Sequence, residues 1–166
     1  DDYLMDGALK RLLDLAEEKQ AVMTTGNKYS SWFKPVNFDF EKAKQETFIE
    51  GVKPLEGQTL RDRFVEMYSV QHFLIRRDFV MEHELSFDTT TRFYSDMTFC
   101  VKLLKLASGK MWVDGDSLYI WRHRNDQIHL PALCQKKRGH RSGEFLDAYD
   151  KCLHIIKPED KDLRFA

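Results

Sequence analysis

The chain has 166 residues, 42% of them apolar and 13% aromatic, enough for one packed domain or a large piece of one. Charged residues make up 32% and the net charge is −1, which excludes a disordered composition and leaves no global electrostatic footprint for nucleic acid. The three cysteines, Cys100, Cys134 and Cys152, form no Cys-x-x-Cys pair, so they point away from a zinc knuckle or disulfide framework and toward a reducing compartment.

The opening residues are Asp1-Asp2-Tyr3-Leu4, and a helix is predicted almost at once. Asp6 is placed to cap it, and Ala8, Leu9, Leu12, Leu13 and Ala16 form an apolar stripe at helical spacing. Ala21 to Thr25 reads as a short buried strand ended by Gly26-Asn27. Residues 28–59 mix aromatics with Pro35, Pro54 and Gly57. Such an excursion reads either as a lid or binding loop, or as an aromatic cluster beneath an irregular loop. Thr59 is placed to cap a helix over 60–68. A strand over Val70 to Ile75 and a short helix from Arg76 to His83 follow.

Asp96 to Ala107 is a helix with little polar face, predicted to be buried on several sides and stopped by Ser108-Gly109-Lys110. Two short strands, Met111 to Val113 and Ser117 to Trp121, lead into the basic run Arg122-His123-Arg124. Helices are predicted over 128–138 and 141–157, the second with the stripe Phe145, Leu146, Tyr149, Cys152, Leu153, Ile156. Proline and acids after Lys157 announce a further helix just where the sequence stops, so the chain is expected to be a fragment of a longer protein. Strands alternating with helices favour a layered α/β or α+β domain. No apolar run approaches the ~18–20 residues of a membrane span, and no signal-peptide pattern is visible. A cytoplasmic location is expected, with a peripheral link to the membrane left open.

Four constellations bear on chemistry. Asp1-Asp2 offers adjacent carboxylates whose hard oxygens suit Mg²⁺ or Mn²⁺, or which serve as ordinary helix-start acids. Asp96 stands where a polar loop meets an apolar helix. There the helix dipole would keep it ionised and able to take a proton from a hydroxyl; alternatively Asp96 or Ser95 simply caps the helix. Tyr119-Ile120-Trp121-Arg122-His123-Arg124 delivers alternating aromatics for stacking and arginine forks for phosphate; alternatively the strand end is solvated and paired with Asp114, Asp116 or Asp126. His123 reads as a metal ligand or a surface residue. Lys136-Lys137-Arg138-Gly139-His140-Arg141 reads as a phosphate or lipid-head contact, or as a solvated turn between helices. Gly-x-Gly-x-x-Gly, P-loop, Gly-x-Ser-x-Gly and His-Glu-x-x-His patterns are all absent from the sequence.

The order of these pieces resembles the family 2 glycosyltransferases of the GT-A fold. Asp1-Asp2-Tyr3-Leu4 looks like the tail of that family's Asp-x-Asp-Asp-Tyr-Leu segment. Phe73-Leu74-Ile75-Arg76-Arg77-Asp78-Phe79, Leu85-Ser86-Phe87-Asp88 and Tyr94-Ser95-Asp96-Met97-Thr98-Phe99 resemble the stretch leading to its catalytic acid. Ser95 stands where the family often has Glu. Leu118-Tyr119-Ile120-Trp121-Arg122-His123-Arg124 resembles the family's Leu-Tyr-x-Tyr-Arg-x-Arg strand. Arg124 to Pro131 also resembles the glycosyltransferase part of bacterial teichoic-acid and capsule polymerases.

The resemblance implies an α/β fold, the carboxyl-terminal part of a GT-A domain over 1–126, followed by a helical extension over 127–166. The amino-terminal nucleotide-binding part would precede Asp1. The resemblance also implies an inverting transferase that moves a sugar from a nucleotide-diphosphate sugar to a glycan or polyol-phosphate acceptor. Asp96 would be the base, Asp1 and Asp2 would hold Mg²⁺ or Mn²⁺, and Arg122, Arg124, Tyr119 and Trp121 would meet substrate or diphosphate. This piece alone would be inactive. The competing expectation is a non-catalytic helical module that binds a partner or an anionic polymer.

Overall fold

The computed structural model describes residues 2–32, 49–57, 59–60, 69–123, 129 and 141–160. Most of the 28–59 excursion and the helices predicted over 60–68 and 128–138 lie outside these residues. The described elements are, in chain order, β1 (Tyr3–Leu4), α1 (Ala8–Glu18), β2 (Met23–Trp32), β3 (Val52–Pro54), β4 (Phe73–Ile75), α2 (Arg77–Glu82), α3 (Ser95–Leu106), β5 (Met111–His123) and α4 (Arg141–Ile155).

One mixed sheet runs in the order β1-β5-β2-β4. The β2–β5 pair is parallel and the other pairs are antiparallel, with β3 lying against the first half of β5 and β1 against its second half. β2 is longer than the sequence pattern predicts. Gly26-Asn27 does not end it; the strand continues to Trp32. The two strands predicted over 111–121 are likewise one strand. The reason lies in the register. Gly26 pairs with Asp114 and Asn27 with Leu118, so β5 bulges by Gly115, Asp116 and Ser117 without leaving the sheet. Asn27 makes this possible. Its buried amide donates to the carbonyls of Ile49 and Gly115 at 2.9 and 2.7 Å and accepts the Ile49 N–H at 3.1 Å. A turn-former by composition is here the polar filler of a bulge.

α1 begins without the cap expected from Asp6. Gly7, at φ 78°, is the N-cap, and no side chain bonds there. Ala8, Leu12 and Leu15 face the sheet, while Leu9 and Leu13 stay exposed. Arg11 ties the helix to the bulge. Its guanidinium donates to Asp114 at 2.8 and 2.9 Å and to Asp116 at 3.0 Å, and the Ser117 hydroxyl donates to Asp114 at 2.7 Å.

α3 is the centre of the core, as its composition predicts. Met97, Phe99, Cys100, Val101, Leu103 and Leu104 are all buried, against Val22, Met23, Met111 and, from α4, Ala148 and Cys152. Each large side chain so buried contributes about 1.5–3 kcal/mol before entropic costs. α4 departs from its predicted stripe. Only Cys152 of that set is fully buried, and Phe145, Leu146, Tyr149 and Leu153 are exposed. The small residues Ala148 and Cys152 face α3, which lets the two helices approach closely. α4 also holds the loop that enters α3. Glu144 accepts the Phe93 N–H at 3.2 Å, and Lys151 donates to Asp88 at 3.0 Å. The Thr90 hydroxyl and amide, with Lys151, bring the Asp88 carboxyl down to about 2.

Candidate active site

The far ends of β2 and β5 carry a polar cluster on one face of the sheet. Residues paired across two strands share a face, and so do alternate residues along one. Lys28 pairs with Tyr119, and Trp121 lies two residues beyond Tyr119. The Lys28 ammonium lies 4.4 Å from the centre of the Trp121 ring. The buried His72, from the turn before β4, brings its ring within 6.3 Å of the Tyr119 ring.

Asp2 is pinned at this end of β5. Tyr119 Oη donates to its Oδ2 at 2.6 Å, and the Arg122 N–H donates to its Oδ1 at 2.9 Å. β1 itself is short and exposed, so these bonds help fasten the start of the chain to β5. Burial and the Asp2 carboxylate both push the Tyr119 phenol up, which keeps it a donor.

Asp96 sits in the first turn of α3, one residue past the helix start. The N-cap residue is Tyr94, which makes no side-chain cap bond, and the Asp96 carboxylate accepts from its own first-turn amide. The dipole was expected to keep Asp96 ionised. Burial instead raises its pKa, and the amides of Asp96 and Val70 and the charge of Lys28 only partly oppose that rise.

The Tyr119 phenol and the Arg122 amide thus hold Asp2, and Lys28 and Trp121 lie beside Tyr119 on the same face of the sheet. Of the acids considered for the basic strand end, Asp114 and Asp116 both receive Arg11, and Asp126 lies outside the described residues. Asp1, Arg124 and 136–140 lie outside the described residues, as does the His123 side chain. Among the described residues no three of His, Cys, Asp or Glu form a metal-binding group. Each Asp2 oxygen accepts one hydrogen bond, which leaves each with a further lone pair. Lys28 and His72 belong to the cluster but escape sequence reading, because only strand pairing brings them to it.

A separate groove of about 270 Å³, lined by Leu13, Ala16, Gln20, Val22, Ile75 and Arg76, opens at the opposite end of β2. It carries none of the clustered carboxylates.

The mixed α/β layers built on the β2–β5 pair make a glycosyltransferase-like fold. The similar solved structures are of S. aureus TarS 1–349. In complex with UDP-GlcNAc, TarS matches with a TM-score of 0.55 and 17% identity, over 75% of this chain and 33% of that one. In complex with UDP the TM-score is 0.66 and the identity 15%, over 98% of this chain and 42% of that one. A further TarS 1–349 structure matches at 0.55 and 15%, over 98% and 56%. The chain therefore spans between a third and just over half of these TarS chains, and the likeness is one of fold. No protein-family model and no curated protein matches the sequence.

Proposed function

We propose that this chain is the acceptor-side part of an inverting glycosyltransferase of the GT-A type, which moves a sugar from a nucleotide-diphosphate sugar to a cell-surface glycan or teichoic-acid acceptor. The observation that carries the reading is the shared cluster. Asp96, Lys28, Trp121, Tyr119 and Asp2 stand at one end of the sheet, in a fold like that of a protein crystallised with UDP-GlcNAc.

In this reading Asp96 takes the proton of the acceptor hydroxyl. The oxygen attacks the anomeric carbon from the face opposite the nucleotide, and the diphosphate leaves with the bond electrons. Burial suits this role, since a carboxylate that holds its proton more firmly is the stronger base. Trp121 and Tyr119 form the wall on which the acceptor ring would lie, and Arg122 and Arg124 would meet anionic oxygens. Asp2 anchors the wall. Asp1 and Asp2 would hold Mg²⁺ or Mn²⁺, and no step here runs through a cation. Work at the inner face of the membrane stays part of the proposal.

The test is donor turnover by the enzyme that contains this chain. Asp96→Asn is expected to bind UDP-GlcNAc as before and to lose turnover; a wild-type rate would sink the base assignment. The exposed Phe145, Leu146, Tyr149 and Leu153 on α4 favour a second reading, a partner-binding module. No binding of any UDP-sugar by calorimetry, with a partner captured through α4, would favour it.

A further inference from the structure

We propose that the outer face of α4 is a self-association surface, on which a second copy of this chain lays its own α4 antiparallel. The pairing is independent of the sugar-transfer reading and uses no residue assigned to it.

The spacing of the apolar residues comes first. Leu146 is 64% exposed and Leu153 50%, with Tyr149 exposed between them, so half or more of each leucine lies in water. Ile156 continues the row, half-buried, with its amide still bonded to the Cys152 carbonyl as in a helix. These four recur at intervals of three, four and three residues, the spacing of a seam along which one helix packs on another. Phe145 rims the seam, its ring stacked with Tyr149 at 6.2 Å and set edge-on to Tyr94 at 5.4 Å.

The face is also held still. On the inner side Ala148 and Cys152 seat α4 in the core. Lys151 donates to Asp88, and at the far end Lys105 donates to the Ile155 carbonyl at 3.0 Å and to Asp160 at 2.8 Å. A helix fixed on one side presents the other with little freedom left to lose on binding.

The charges beside the seam favour a second copy as the occupant. Asp147 and Asp150 come first along α4, His154 and Lys157 come last, and all four are exposed. Two copies running the same way would set acid beside acid. Turned antiparallel about a two-fold axis, Asp147 and Asp150 of one copy meet Lys157 and His154 of the other, while Leu146 meets Ile156 and Tyr149 meets Leu153. The positive end of each helix dipole then lies beside the negative end of the other. Lys151 takes no part, because Asp88 and Asp147 already hold it. Within one copy Asp150 stands 3.6 Å from His154, an exposed pair that costs little to exchange. A membrane surface fits less well. A helix lying on lipid carries Lys and Arg along its polar flank, and here the first part of that flank is acidic.

The experiment is sedimentation equilibrium of the full 166-residue chain. Concentrations should reach about 100 μM, since one helix pair lies at the small end of interfaces. A concentration-dependent dimer is expected. Leu146→Ser with Leu153→Ser should weaken it roughly tenfold or more, because a two-fold contact feels each change twice. Both side chains are exposed in the free chain, so circular dichroism should show the fold kept. Asp150→Lys should weaken the dimer when alone, and so should His154→Glu with Lys157→Glu; an equal mixture of the two variants should restore it. This swap keeps the test available if the leucine variant does not fold. A wild type that stays monomeric over the whole range overturns the proposal, and so does a dimer untouched by the leucine changes. Charge variants that pair as well alone as when mixed overturn the antiparallel arrangement. A monomer that instead floats with phosphatidylglycerol vesicles assigns the face to a membrane and overturns the proposal too.

Discussion

Asp114, where α1 crosses β5, and Asp96, where α3 begins, are both drawn out of water, and the fold treats them in opposite ways. At Asp114 burial raises the pKa, but the Arg11 fork, the Ser117 hydroxyl and the Asp116 amide outweigh it, and the group ends below the usual carboxylate range. At Asp96 burial prevails over two amides and the more distant pull of Lys28, and the group ends above that range. The first region spends its polar groups on closing a bulge. The second leaves a carboxylate less than fully compensated, beside an aromatic shelf. A carboxylate whose partners outweigh burial reads as a structural joint, and one whose burial prevails reads as a candidate for chemistry.

The sharpest way to break this contrast is Asp96→Asn. Turnover should fall about 10²–10⁴-fold, the usual worth of a positioned base. Stability should move the other way. A carboxyl whose folded pKa lies above its unfolded value contributes most below the unfolded pKa, and its contribution falls as pH rises through the folded pKa. At neutral pH Asp96 therefore costs stability, and Asn should raise the urea midpoint. A destabilised Asp96→Asn would place Asp96 with Asp114.

The next effect belongs to the bulge. A Cβ on Gly26 would stand 2.1 Å from the Ser117 carbonyl oxygen, and one on Gly115 would stand 2.0 Å from that of Ile49. Both obstacles are backbone, so Gly26→Ala should cost about 3 kcal/mol, read from the urea midpoint. Asp114→Asn should cost about 2 kcal/mol, less than for a fully buried pair because Arg11 reaches solvent. Its pH signature is the mirror of Asp96. The stability from Asp114 is present above the ordinary carboxylate range and is lost as pH falls through its depressed folded pKa. Asp114→Asn should flatten that acid-side loss.

The sequence makes α3 legible because its apolar run admits no other reading, and α2 is legible nearly to the residue. It hides the long strands. Asp114-Gly115-Asp116-Ser117 has the composition of a turn, and only the Arg11 and Asn27 contacts, both far off in sequence, turn it into a bulge. The stripe on α4 misleads because small residues, Ala148 beside it and Cys152 within it, do the packing. Asp96 is legible as a helix-start acid in an apolar setting, but its charge state is not, because burial depends on what covers it. Lys28 cannot be placed before β2 is known to run on past Asn27 in register with β5.

The smallest effect tests whether Asp2 resembles Asp114 or Asp96. Asp2 is exposed, yet both its oxygens accept hydrogen bonds, from the Tyr119 phenol and the Arg122 amide. Tyr119→Phe removes one donor and leaves the ring that packs near His72. If Asp2 is a fastener, the variant should lose about 1 kcal/mol in urea unfolding, the net worth of one such bond. Hydrogen exchange should then quicken at the Met5 amide, which donates to the Leu118 carbonyl beside β1 at 3.0 Å. Loss of stability with faster exchange marks an anchor that holds β1 on β5. Unchanged stability and exchange would mean that the phenol only shields the carboxylate, and would return Asp2 to the set of groups available to a cation.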